Sequence, residues 1–250
     1  MRLKCAGIAA ALLLTLTVIA PSPRAAPNAA AKAQVFVVAT LYKRHESVPA
    51  YDLATLRKVI QAIKPEVLVL DVTPDELKNE KVWPGKIEYP GVVFPLMKEL
   101  KVRAYGSEPA EPLFGELSQA AGTAYRQLEQ MHPQAFQTMK RHEQATYEGL
   151  KTVWRSPADV NSTVTDTIIA GKRALEERLV GETATSAQQR WNEHHAERVL
   201  DAARQNPGKR ILFLVGIENR YAVVNQLRQN PHINLVEMES WLRANYPLRE

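Results

Sequence analysis

The chain has 250 residues, 45% of them hydrophobic and 24% charged, with a formal net charge of +5 and one cysteine. A chain of this length buries a core of its own, and the apolar fraction excludes a disordered polymer. A lone cysteine excludes an internal disulfide framework and a thiolate zinc site.

Arg2 and Lys4 precede an apolar stretch from Cys5 to Ala20. Pro21, Pro23 and Arg24 break that stretch, and the run Ala29-Ala30-Ala31-Lys32-Ala33 follows. Basic start, short apolar middle and Ala-x-Ala end read as a secretory signal peptide over residues 1–33, cleaved after Ala31 or Ala33. The apolar part is short for a bilayer, so no membrane span is expected after cleavage. Removing the segment takes away Arg2, Lys4, Arg24, Lys32 and Cys5 and leaves 28 basic against 27 acidic residues, a balance of +1. The expected mature protein is exported (periplasmic or secreted), nearly neutral and free of thiol. Its basic residues are interspersed with acidic ones, which excludes a nucleic-acid stripe.

Val35-Phe36-Val37-Val38-Ala39 is a continuously apolar run, the pattern of a strand buried on both faces. Leu53, Leu56, Val59, Ile60 and Ile63 then recur at helical spacing, with Asp52 as N-cap and Pro65 beyond the end. Val67 to Leu70 predicts a second buried strand, Val92 to Leu100 a short helix interrupted by Pro95, and Val102 to Tyr105 a third strand. This alternation predicts parallel pairing with right-handed crossovers. Residues 112–204 show helical stretches broken near Pro133, Pro157 and Gly181, and no convincing strand. Strands at Ile211–Val215 and Ile233–Val236 follow, with helices at Tyr221–Leu227 and around Trp241. The expected fold is α/β: a largely parallel central sheet flanked by helices, with a helical insertion at about 112–204.

In such sheets ligands bind where strands end and cross into helices. The segments there are Thr40 to Glu46, Asp71 to Pro74 and Gly216 to Arg220, with Trp191 to His195 on the helix before the fourth strand. His45 beside Glu46 is a candidate general base or metal ligand, or else an ordinary loop histidine. Asp71 ends a buried strand, where a carboxylate needs hydrogen bonds or a cation; capping the Thr73-Pro74 turn is the structural alternative. His194 and His195 point about 100 degrees apart on a helix, and the spacing from Trp191 to Val199 places His195 on the packed side. A His-Glu-x-x-His zinc helix, a phosphate-binding glycine loop and a Gly-x-Ser-x-Gly elbow are all absent from the sequence.

In order, these segments resemble the TraB/TIKI superfamily, which includes erythromycin-esterase-like and ChaN-like proteins. Ala39-Thr40-Leu41-Tyr42 stands where that pattern has Gly-x-x-His, Asp71 at its acidic position, Trp191-Asn192 at its Arg-Asn-like motif, and Gly216-Ile217-Glu218-Asn219 at its second Gly-x-x-His. Glu88-Tyr89-Pro90 and Val102 to Gly106 also fit. Both motif histidines are replaced, by Tyr42 and Asn219, and the motif arginine by Trp191. The resemblance implies an exported hydrolase of ester or peptide bonds with an altered active site. In it Asp71 or Glu218 serves as base or metal ligand towards water, and His45 handles the proton. Tyr42, Glu88, Asn192 and Asn219 contact the substrate, a small molecule or peptide. One histidine among carboxylates implies a weak divalent-metal site rather than tight zinc. The alternative is a non-catalytic envelope protein holding a small molecule or haem, with His45 and Tyr42 as iron ligands. Both readings require Tyr42, His45, Asp71, Asn192 and Asn219 to converge on one cavity.

Overall fold

The computed structural model describes residues 31–246. Most of the expected signal peptide, residues 1–30 with Cys5, lies outside them. Five strands, β1 (Ala33–Thr40), β2 (Val67–Leu70), β3 (Arg103–Gly106), β4 (Arg210–Gly216) and β5 (Ile233–Leu235), form one sheet in the order β3-β2-β4-β1-β5. Every pairing is parallel, with Val35 opposite Ile211 and Val67 opposite the same residue from the other side. The expected α/β fold with a parallel sheet is therefore the observed one.

The apolar runs alternate between two cores. Phe36, Val38, Leu68, Leu70, Leu212 and Leu214 face one layer, which includes α1 (Leu53–Ile63), α3 (Phe94–Leu100) and α10 (Met238–Asn245). Val35, Val37, Val69, Ile211, Phe213 and Val215 face the other, built from α8 (Glu182–Gln205) and α9 (Ile217–Arg228). A strand buried on both faces has no polar face to show, so its sequence is continuously apolar. The insertion supplies α4 (Leu113–Met131), α5 (Pro133–Val153), α6 (Pro157–Val160), α7 (Thr163–Val180) and α8. Asp52 caps α1 by accepting from the Thr55 amide at 2.7 Å.

Four expectations change in detail. Thr73-Pro74 starts a helix, α2 (Pro74–Asn79), through a capping box in which Thr73 and Glu76 exchange side-chain and backbone bonds, so Asp71 is not its cap. The segment before β3 opens as a π-type turn at Tyr89–Val93 and continues as α3, with Pro95 at the junction of the two. The third and fifth strands run Arg103–Gly106 and Ile233–Leu235, each shifted or shortened by one residue. Most consequentially, α9 begins directly at Ile217, with Gly216 as the link. Glu218, Asn219 and Arg220 therefore stand on the first turn of a helix rather than in a loop.

β5 covers only the start of β1, and side chains take over beyond it. The Arg220 Nε donates to the Val37 carbonyl at 3.2 Å, Asn161 Oδ1 accepts from the Ala39 amide at 2.8 Å, and the Tyr51 hydroxyl donates to the Ala39 carbonyl at 2.9 Å. Three side chains thus satisfy buried backbone groups that a longer edge strand would otherwise pair.

Candidate active site

The carboxyl ends of β1, β2 and β4 lie side by side, and Asp71 sits at their centre, buried. Its Oδ2 accepts from the Tyr42 hydroxyl at 2.7 Å and from the Gly216 amide at 3.0 Å. The other oxygen, Oδ1, faces Lys86 Nζ at 3.9 Å and His195 Nε2 at 3.5 Å. Lys86 donates to the Asp71 carbonyl at 2.5 Å and to Glu108 Oε1 at 2.8 Å, so one buried ammonium serves two carboxyl groups.

Burial opposes the charge on Asp71, but the Lys86 ammonium and the bonds from Tyr42 and Gly216 outweigh it and hold the carboxyl below the usual range. Glu108 goes the other way. Burial and the neighbouring Asp71 charge raise it well above an ordinary glutamate, against the pull of Lys86. Burial also opposes the charge of Lys86, yet its two carboxyl neighbours raise its pKa. Two carboxyl groups beside one cation are thus pushed in opposite directions, Asp71 towards its ionised form and Glu108 towards its protonated one.

Tyr42 closes this cluster on one side. Its backbone is left-handed, with φ of 54°, a costly conformation for an aromatic residue. Its ring lies so close to Gly216 that a Cβ there would stand 2.0 Å from the phenolic oxygen. Burial, then the Asp71 charge, raise the phenol's pKa, so it stays a donor. Deeper in, Glu88 is fully buried, and burial pushes it up to about 7. Neither Glu88 oxygen has a hydrogen-bond partner among the described residues, nor do Thr40 Oγ1, the Tyr89 hydroxyl, Asp71 Oδ1 or His195 Nε2.

Two clefts approach from the insertion side. One of about 270 Å³ is lined by Glu108, Leu117, Ser118, Gln188, Trp191 and Asn219, among others. Gln188 Nε2 donates to Asn219 Oδ1 at 3.0 Å and more weakly to Asn192 Oδ1 at 3.4 Å, so the amides of α8 and α9 form one network beside Glu108. The second cleft, about 390 Å³, is lined by Tyr42, Arg44, Phe136, Lys172 and Glu218 among others. There Glu218 accepts from Lys172 at 2.8 Å and from the Tyr147 hydroxyl, and Lys172 also meets Glu176 at 2.8 Å.

The expected residues therefore do not share one cavity. Asp71, Tyr42 and Glu88 belong to the buried cluster or its edge, Asn219 lines the smaller cleft with Asn192 buried behind Gln188, and Glu218 belongs to an ion-pair network in the larger one. His45 stands apart from all three. Its Nε2 accepts from the Leu41 amide at 3.0 Å and its Nδ1 bonds the Tyr51 carbonyl at 2.7 Å. Burial pushes His45 down to about 4, against the hydrogen bond to Tyr51. Both nitrogens of the neutral ring are used by main chain, which makes His45 a staple of its own 3-10 turn (Tyr42–Ser47). Ligation of haem iron by His45 would break one of these bonds. Among the described residues no three His, Cys, Asp or Glu side chains are grouped to hold a metal ion.

Lys86, Ser107, Glu108 and the inward position of His195 complete the cluster. The rule that singles out residues after the first, second and fourth strands applies equally to Ser107-Glu108 after the third, and is the signal that finds Glu108. Compared against protein families, curated proteins and solved structures, the chain finds no match in any of the three.

Proposed function

We propose that the chain is an exported TraB/TIKI-like hydrolase of small, uncharged ester or peptide substrates, with Glu108 as the cleft-facing acid. The observation that carries this reading is the Asp71–Lys86–Glu108 arrangement: a buried carboxylate and an ammonium behind a second carboxyl group, which opens on a cleft and which burial and the Asp71 charge push towards its protonated form. A neutral carboxylic acid donates a hydrogen bond to a carbonyl oxygen and follows it as negative charge develops. Asn219 and Gln188 lie beside it to orient the carbonyl, and Leu117, Ala121, Ala187 and Trp191 offer an apolar wall. Among the described residues no lysine or arginine lines this cleft, which fits an uncharged substrate. Asp71 keeps Glu108 protonated without touching the substrate. The site expected from the resemblance falls, because its five residues do not share one cavity; the present reading keeps only the class of reaction and gives the roles expected of His45 and Glu218 to Glu108.

The test is hydrolysis of p-nitrophenyl acetate and of N-acetyl-alanine p-nitroanilide by the purified protein, with and without added divalent ions. Turnover by the wild type that falls at least tenfold in Glu108→Gln supports the enzyme. Binding of these compounds without turnover supports the non-catalytic reading instead. Export rests on the basic and apolar pattern of residues 1–33. Ala33 is buried and pairs with Ile233, so cleavage after Ala31 is the bond that leaves the sheet whole. Amino-terminal sequencing of the exported protein is expected to start at Lys32; a start at Gln34 refutes that choice.

A further inference from the structure

The side-chain amides beside Glu108 form a fixed arrangement with a chemical consequence of its own. Gln188 and Asn192 lie one turn apart on α8, and Asn219 stands on the first turn of α9. Gln188 carries two N–H bonds on Nε2. One donates to Asn219 Oδ1 at 3.0 Å and the other to Asn192 Oδ1 at 3.4 Å. Asn192 is buried, so it holds Gln188 from behind. Gln188 Oε1 and the Asn219 Nδ2 group remain. Neither has a hydrogen-bond partner among the described residues, neither is shut away from solvent, and both side chains line the smaller cleft. Turning all three amides round reverses each bond and again leaves Gln188 and Asn219 with one free oxygen and one free NH2 between them.

The cleft therefore presents one acceptor and one donor, and the bond between Gln188 and Asn219 keeps them on the same wall. That pairing discriminates among open-chain acyl groups. An ester has no N–H to offer the free oxygen. A trans peptide group has one, but its C=O and N–H leave from opposite edges. A primary carboxamide carries its oxygen and one N–H on the same edge, so it can meet both groups at once. Glu108 and Ser118 add a carboxyl group and a hydroxyl to the same cleft. Trp191, its ring 5.3 Å from that of Phe114, offers an apolar surface to whatever the carboxamide is attached to.

We infer that Gln188 and Asn219 together recognise a primary carboxamide, so that the substrate is a small uncharged R–CONH2 with an apolar R. This rests on the hydrolytic reading for the bond that breaks, and narrows its choice of acyl substrate. The water oxygen joins the acyl carbon, and the C–N bond breaks with its electron pair going to nitrogen. Both water protons end on that nitrogen. One carboxamide and one water thus give a carboxylate and an ammonium ion.

The experiment is an NMR titration of the 15N-labelled protein with phenylacetamide, N-methylphenylacetamide and methyl phenylacetate, which share one acyl group. The probe is the side-chain NH2 signal of Gln188, identified by its loss in Gln188→Met. Phenylacetamide is expected to shift that signal saturably and to bind at least tenfold more tightly than the other two. In Gln188→Met, followed through the Asn219 side-chain signal, the preference is expected to disappear, with the ester bound as weakly as before. Equal binding of the three compounds, no saturable shift with phenylacetamide, or a preference that persists in Gln188→Met overturns the inference. The wild-type preference is read without any variant, so a folding defect in Gln188→Met does not decide it. Hydrolysis shows separately, as phenylacetate appearing in the same samples. Selective binding without phenylacetate leaves the recognition standing and removes the hydrolytic reading; phenylacetate formed equally well from all three compounds does the reverse.

Discussion

At the scale of single residues the centre of the molecule is held by one contact with three contributors. Tyr42 adopts a left-handed backbone, Gly216 leaves room for its ring, and Asp71 receives its hydroxyl. A hydrogen bond to a buried carboxylate contributes about 1.5–3 kcal/mol, so Tyr42→Phe is expected to lower stability by that order. Gly216→Ala places a methyl group where the phenol lies and expels the same hydroxyl. Because both changes break one interaction, the double variant should be no less stable than Gly216→Ala alone, within about 0.5 kcal/mol. Urea unfolding of the three variants checks this. Additive costs would mean that the glycine serves something other than the tyrosine.

At the scale of elements, the edge of β1 shows how a three-residue β5 suffices for an eight-residue neighbour. Asn161 accepts from Ala39 and donates to the Pro157 carbonyl at 2.9 Å, tying the short helix α6 to the sheet. Asn161→Ala orphans a buried amide and is expected to cost about 1–3 kcal/mol. In the same variant the Ala39 amide should exchange faster with solvent, while amides of β4 stay protected relative to the global unfolding rate. Equal acceleration everywhere would locate the loss in overall stability instead. None of these edge contacts is legible in the sequence, since Asn161 lies 122 positions from Ala39 and no local pattern links them. What is legible is periodic. The apolar runs at 35–39, 67–70 and 211–215 and the spacing of α1 report burial, which each residue's neighbours along the chain share. The start of α9 is hidden for the opposite reason. Glu218, Asn219 and Arg220 read as loop because they are polar, yet each is polar for a tertiary reason: an ion pair with Lys172, a hydrogen bond accepted from the Gln188 side chain, and a salt bridge to Asp166. Asp71 was visible because an acid ending an apolar strand is conspicuous. His195 was placed on the packed side by its spacing, but that spacing says nothing of the carboxylate it meets.

At the scale of the whole molecule, gathering unpaired polar groups at one end of the sheet makes stability depend on pH. Glu88 gives the cleanest measure. In the unfolded chain its carboxyl releases its proton near 4.5, whereas in the fold burial delays release to about 7. Between those values the folded protein holds a proton that the unfolded chain has lost, so this group's contribution falls as pH rises from 4.5 to 7 and is constant above. At about 1.4 kcal/mol per unit the fall is about 3 kcal/mol. His45 and His195, both held down to about 4, act in the reverse sense: they add stability as pH rises from 4 to 6.5. Asp71, held low, loses its contribution only in stronger acid, as pH falls below the ordinary carboxylate range. A single stability curve therefore mixes opposing slopes. The difference between Glu88→Gln and the wild type separates them, because the histidines and Asp71 titrate in both. That difference is expected to move in favour of the variant by about 3 kcal/mol between pH 4.5 and 7 and then to level off. Urea midpoints taken across this range measure it. A flat difference would show that Glu88 ionises in the fold as it does in the unfolded chain, with a partner for its charge.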